Sequence, residues 1–189
     1  MNTSDRATDV AMRGDGRRNR DQLMDAARAT FATDGVDASL REVARRAGVN
    51  IATLYRHFPN REALLEAVVR DLFDHLTARA DTLTDADDGL FTWMCELVDA
   101  LNTYSGLPGA VQSSLQDLSS PLHEACSRLG SAAANLLTSA RDAGRVRPDL
   151  QTHEILATAN AAAWLGQPPI GLSPHRFLTL FTEGWHRHS

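Results

Sequence analysis

Lysine is missing altogether from the 189 residues, and all nineteen cationic side chains are arginine. That choice reflects the coding bias of a GC-rich genome before it reflects physics. No apolar run approaches the roughly 18 residues that a bilayer crossing needs, so no membrane association is expected. The first sixteen residues are polar, include Gly14 and Gly16, and lack a signal-peptide pattern. Only two cysteines occur, Cys95 and Cys126, which excludes a disulfide framework and makes a reducing cytoplasm the default location. Aromatics are scarce at 6%, yet a hydrophobic content of 43% is ordinary for a globular chain of one medium domain, or of a small domain fused to a larger one. No stretch alternates with period two for long, which argues against a sheet. Ser, His and acidic residues nowhere fall at spacings that join a nucleophile to its base or assemble a metal set. An all-α enzyme is therefore a remote alternative, and neither metal nor cofactor is expected.

What is present is an uneven charge distribution. The net charge is −5, but residues 17–61 carry nine arginines against five acids, whereas residues 71–189 carry seven against fourteen. A basic head on an acidic body points to a polyanionic partner for the head.

Helical periodicity runs through nearly the whole chain. From Arg18 to about Thr33, Leu23, Ala26, Ala27 and Phe31 share one face, and Gly35 supplies a stop. Ser39 with Glu42 has the spacing of a capping box, so a second helix is expected there, with Val43, Ala44 and Ala47 inward and Gly48 at its end. A third runs from about Asn50 to His57 and stops before Pro59. Asn60 caps a long fourth, with Leu64, Leu65, Val68, Val69, Leu72, Phe73 and Leu76 along one stripe. Further helices are expected from Leu90 to Tyr104, after Pro108, from Ser120-Pro121 to Ala143, over 152–165, and from Ser173-Pro174 to about 187. The fold class is all-α, with about nine helices and no repeats.

The stretch "VNIATLYRHFPNREALL", residues 49–65, is too polar for a core and too bulky for a plain solvent face. Helices at 39–47 and 50–57 around a turn at Gly48 have the proportions of a helix-turn-helix. In that geometry the second helix enters the major groove of DNA while the first crosses the backbone. Leu54 and Phe58 then point inward with Val43 and Val49. Ile51, Ala52 and Tyr55 face base edges, and Thr53, His57 and Arg61 flank phosphates. Packing is the competing role for Tyr55. Arg41, in the first turn of its helix, suits guanine or phosphate through its planar fork. Arg45 and Arg46 read as solvated face charges rather than base readers. Ser39, Asn50 and Arg56 complete the candidate DNA-binding set. Arg13, Arg17, Arg18 and Arg20 either add non-specific phosphate attraction or sit on an idle tail.

With those residues in view, "FATDGVDASLREVARRAGVNIATLYRHFPNREALL", residues 31–65, resembles the N-terminal domain of the tetracycline-repressor-like (TetR) regulators. The resemblance covers about residues 18–65. It implies backbone contacts to DNA from Ser39, Thr53, Tyr55, His57 and Arg61. Ile51-Ala52 stands where the family commonly has a small polar residue and glycine, which leaves the operator sequence open. Arg61 stands where lysine is usual, and keeps the charge.

Trp93, Met94, Leu97, Leu101, Tyr104, Leu118, His123, Cys126 and Trp164 fall together in the acidic body. A stripe of that kind is ordinarily core. The resemblance implies instead a pocket for a small, usually apolar effector, which Tyr104, His123 and Trp164 would orient. His123 and Cys126, at i and i+3, lack a third metal ligand. Alanines at 157, 159, 161, 162 and 163 permit close helix approach, and Phe177, Phe181 and Trp185 fill gaps. A homodimer through helices 152–165 and 174–187 is expected, since two recognition helices must lie about 34–36 Å apart to enter successive grooves.

The resulting expectation is a disordered arm over 1–16, a three-helix DNA-binding domain over 17–62, and an effector-binding and dimerisation domain over 63–189. The function expected is that of a repressor released from a palindromic operator by a small molecule. An activator or a ligand-independent regulator of the same fold is the alternative.

Overall fold

The computed structural model describes the backbone of residues 3–183 and the side chains of 16–114 and 116–183. Among the described residues nine helices follow one another: α1 (Thr3–Asp34), α2 (Leu40–Arg46), α3 (Ile51–His57), α4 (Arg61–Leu83), α5 (Gly89–Leu101), α6 (Leu107–Gln116), α7 (Pro121–Asp142), α8 (Thr152–Gly166) and α9 (Pro174–Thr182). No helix is long and apolar enough to cross a membrane among these residues. Trp185 and the continuation of the last helix towards 187 lie outside them.

The all-α expectation holds, with one difference at the start. The backbone of residues 3–16, the stretch expected as an arm, continues α1. Extending an existing helix needs no new nucleus, and Ala7, Ala11 and Met12 favour it, so two glycines at about 1 kcal/mol each do not stop it. The Arg13 side chain lies outside the described set.

α1, α2 and α3 form the head. Leu23, Ala27 and Phe31 of α1, Val43 and Ala44 of α2, and Leu54 of α3 are buried together with Phe58. α4 leaves the head at Asn60, whose Oδ1 accepts from the Ala63 amide at 2.8 Å. It then runs along α7, the most extensive helix pairing among the described residues, and also packs on α5. Leu64, Leu65, Val68, Phe73 and Leu76 of α4 are buried, each adding about 1.5–3 kcal/mol by leaving water. Trp93 of α5 is fully buried, and its indole Nε1 donates to the Leu76 carbonyl at 2.8 Å.

Head and body meet at a tight joint. The Val36 amide donates to the Ser105 carbonyl at 2.8 Å. A Cβ at Gly35 would lie 2.9 Å from that same Ser105 oxygen, and one at Gly106 would lie 2.9 Å from Val36 Cγ2. Neither position has room for a side chain. Around this crossing Phe31 meets Tyr104 edge-on with ring centres 6.3 Å apart, and Arg28 pairs with Asp71 at 3.2 Å. The Gly106 amide donates to Gln167 Oε1 at 2.8 Å, tying α6 to the segment between α8 and α9.

Candidate nucleic-acid interface

The α2–α3 unit is shaped by its turn. α2 closes in a Schellman arrangement, with the Gly48 amide donating to Arg45 at 3.2 Å and the Val49 amide to Ala44 at 3.0 Å. Gly48 adopts φ +68, which a side chain would resist. Asn50 then caps α3, its Oδ1 accepting from the Thr53 amide at 2.8 Å. Its amide oxygen is thereby engaged in holding the helix.

Leu54 and Phe58 are buried, and this fixes the rotation of α3. Ala52, Tyr55 and Arg56 consequently face solvent, while Ile51, Thr53 and His57 are half-buried along the flanks. Tyr55 is 49% exposed, so packing does not account for its ring. Arg41 is exposed on α2.

Two basic residues have different surroundings from those expected. Arg61 does not stand free beside α3: its Nη1 donates to the carbonyls of Val36 at 2.8 Å and Ala38 at 2.6 Å. The loop between α1 and α2 ends in carbonyls without helical partners, and a guanidinium at the start of α4 is within reach of them. Arg20 lies over the Phe58 ring at 4.8 Å, so this member of the basic N-terminal segment covers the head's core. Arg17 and Arg18 remain exposed.

The capping box at Ser39 is not formed. Ser39 is the N-cap of α2 but its hydroxyl makes no cap bond. Glu42 instead accepts from Arg45 Nε and Nη2 at 2.8 and 2.7 Å, and from Arg46 Nε at 2.8 Å. Two guanidiniums at i+3 and i+4 outcompete a neutral amide for the carboxylate, because charge-assisted bonds are roughly twice as strong. The hydrogen bonds from Arg45 and then Arg46 hold the Glu42 carboxyl down at about 2. Two consequences follow for the surface. The Ser39 hydroxyl is left exposed at the start of α2, and much of the Arg45 and Arg46 charge is neutralised within the protein.

The nine residues expected around an effector are placed differently. Trp93, Met94, Leu97 and Leu101 are buried against one another and their neighbours. Tyr104 packs on Phe31, and burial pushes its phenol upward. His123 Nδ1 lies 3.1 Å from the Ser114 carbonyl and so carries the ring proton. Cys126 is buried 3.7 Å from Ser114 Oγ, and desolvation raises its thiol. Leu118 and Trp164 are not in the interior at all, being 80% and 56% exposed. Leu118 sits at the tip of the α6–α7 turn. Trp164 occupies the face of α8 opposite Ile155, Ala159 and Ala162, which are the residues that bury that helix. No group of three or more metal-ligating side chains occurs among the described residues. A cleft of about 600 Å³ does open, but between the α1–α2 loop, the start of α4, and α6, and none of the nine lines it.

The alanine stripe of α8 likewise divides in two. Ala159, Ala162 and Ala163 pack inside the protomer, whereas Ala157 and Ala161 share the outward face with Trp164. On α9, Leu180 and Phe181 are exposed and Phe177 stacks on Phe181 with ring centres 6.4 Å apart.

Comparison with known proteins places these observations. A family model described as bacterial regulatory proteins, tetR family, matches residues 23–68. A second, described as the C-terminal domain of SbtR-like transcriptional regulators, matches residues 85–187. The HTH-type transcriptional repressor KstR2 of Mycolicibacterium smegmatis is 37% identical over 67 residues, which cover 35% of this chain and 33% of that protein. The matched region thus spans about a third of the length of that curated relative. Two solved structures align over most of the fold. A TetR transcription regulatory protein from Mycobacterium vanbaalenii is 30% identical, with a TM-score of 0.57, covering 93% of this chain and 99% of its own. A TetR transcriptional regulator from Streptomyces coelicolor is 29% identical, with a TM-score of 0.61, covering 90% and 99% respectively.

Proposed function

Since the chain belongs to the TetR family of transcriptional regulators, which are not enzymes, we propose that it acts as a homodimeric repressor whose operator is released by a small molecule. The observation that carries the DNA-binding part is the rotation of α3. Burying Leu54 and Phe58 turns Ala52, Tyr55 and Arg56 outward on the basic head, a surface with no use in packing. Ala52 and the edge of Ile51 suit thymine methyls, Arg56 and Tyr55 suit base edges or backbone, and Ser39, Arg41, Thr53 and His57 suit phosphates on either side. Asn50 and Arg61 act here by setting the helices that present those groups.

Dimerisation is supported by the outward stripe of α8 and α9. Ala157 and Ala161 let a second helix approach, and Trp164 and Leu180 supply apolar area that is otherwise left in water. The sign of regulation is supported by KstR2, which is named a repressor. Release requires an effector that binds the non-operator geometry more tightly, typically with about 1–3 kcal/mol of coupling. The joint at Gly35, Val36, Ser105 and Gly106 is where such a change would reach the head.

The test is an anisotropy titration of the protein on the palindrome nearest its own gene. Tyr55→Ala and Thr53→Ala should each weaken binding about tenfold or more with unchanged circular dichroism, since a good base or backbone contact is worth about 1–3 kcal/mol. Unchanged affinity in both variants overturns the assignment of α3 as the reading helix.

A further inference from the structure

The cleft between head and body is lined by groups that the DNA-binding surface does not use. Its floor is the small-residue face of α6, Gly109, Ala110 and Ser113, opposite Leu65 of α4 and Leu122 of α7. Carboxylates stand at its two ends. Asp37 lies at the start of α6, its Oδ2 4.0 Å from where a Gly106 Cβ would be, and Glu62 lies nearby in the first turn of α4. Asp117 is the C-cap of α6 at the opposite end. Ten helical residues separate the ends by about 15 Å. Among the described residues none of the three carboxylates has an ion-pair partner; Asp117 Oδ1 accepts from the Ser119 amide at 2.9 Å and the Ser119 hydroxyl at 2.6 Å, which leaves its other oxygen for a ligand. The cleft's single cation is Arg61, and its Nη1 is already bonded to two carbonyls.

The second observation is independent of charge. Ser120 also lines the cleft and is nine-tenths buried, and its Oγ is buried without a hydrogen-bond partner. A buried hydroxyl without a partner costs about 1–3 kcal/mol of desolvation, so it calls for a ligand atom or a water. It sits beside Asp117, to whose carbonyl the Ser120 amide donates at 3.0 Å. A donor with an apolar body and a positive end fits this combination. An anionic ligand would meet three carboxylates.

We propose that this cleft binds an aliphatic amine, its alkyl chain along α6 and its ammonium at Asp117 and Ser120 or at Asp37 and Glu62, with a terminal diamine engaging both ends. The assignment rests on the effector-responsive reading above and names the class of effector. It also gives the small, usually apolar effector expected from the sequence a charged end. Because Val36, Asp37 and Glu62 belong to the head side and α6 and α7 to the body, an amine seated here touches both halves of the joint.

The experiment uses the full chain and calorimetric titration with octylamine, octamethylenediamine and octanoate, alongside an operator titration of the unliganded protein. Both amines should bind once per protomer and octanoate should not. Asp37→Asn combined with Glu62→Gln, and separately Asp117→Asn, should each weaken the diamine about tenfold, since a hydrogen bond to a charged group typically contributes that much. Ser120→Ala should weaken it less, and Ala110→Leu, which fills the floor, should abolish binding. Absence of amine binding, equal binding of octanoate, or indifference to the carboxamide variants overturns the proposal. Operator binding by the unliganded protein without amine binding leaves the DNA-binding reading standing while this one falls. Amine binding in a protein that ignores every operator does the reverse. Amine binding in the cleft that leaves operator affinity unchanged supports the site and overturns its role in release.

Discussion

Glu42 governs how much of the head's positive charge is left unpaired. Its carboxylate holds Arg45 and Arg46, and replacing it by Gln frees both guanidiniums. Glu42→Gln should therefore raise affinity for random duplex and steepen its salt dependence by about one to two in the logarithmic slope, at about 0.9 per phosphate engaged, as measured by anisotropy across a salt series. The folded value of about 2 lies below the ordinary 4.5, so the pairing is complete above 4.5 and lost only as pH falls through about 2. Affinity should accordingly show no titration from this group across the neutral range. Arg61 behaves differently. Removing its bonds to Val36 and Ala38 loosens the start of α4, so Arg61→Ala should lower stability by about 1–2 kcal/mol in urea unfolding as well as weaken operator binding. A residue acting on phosphate alone would change only the binding.

At the scale of the element, α5 and α8 carry tryptophans of opposite character. Trp93→Ala removes a fully buried ring and its bond to Leu76, and should cost about 3–5 kcal/mol by chemical denaturation. Filling the same core with Ala133→Phe should cost about 1–3 kcal/mol by overpacking, since Ala133 is fully buried. These contrasts show what was legible in the sequence. Periodicity with local start and stop signals marked the helices, though not the early start of α1, and the helix-turn-helix proportions oriented α3 by Leu54 and Phe58, because these signals are local. The side chosen by Trp164 was not legible. Its face of α8 differs from the buried one only by which alanines meet α5 and which meet solvent, and that depends on helices far away in sequence. The capping box at Ser39 misled for a related reason, since the pattern says nothing of two arginines competing for Glu42. The cleft escaped too, because its carboxylates come from three separate segments: the α1–α2 loop, the start of α4 and the end of α6.

The whole molecule is a basic reading head joined to an acidic body through one crossing, with an apolar stripe on the far side of α8 and α9. Trp164→Glu should leave the protomer folded, because that ring makes no part of its core, and should convert dimers to monomers in sedimentation velocity at micromolar concentration. A monomeric wild type would remove the two-half-site arrangement. The crossing itself has a consequence for building new regulators. Gly35 and Gly106 interlock, each missing a Cβ where the other's loop passes. Heads and bodies exchanged between related proteins will therefore transplant as working regulators only when both glycines travel with the graft. A chimera that keeps one of the two and places alanine at the other should express with its halves misaligned even though each half is intact.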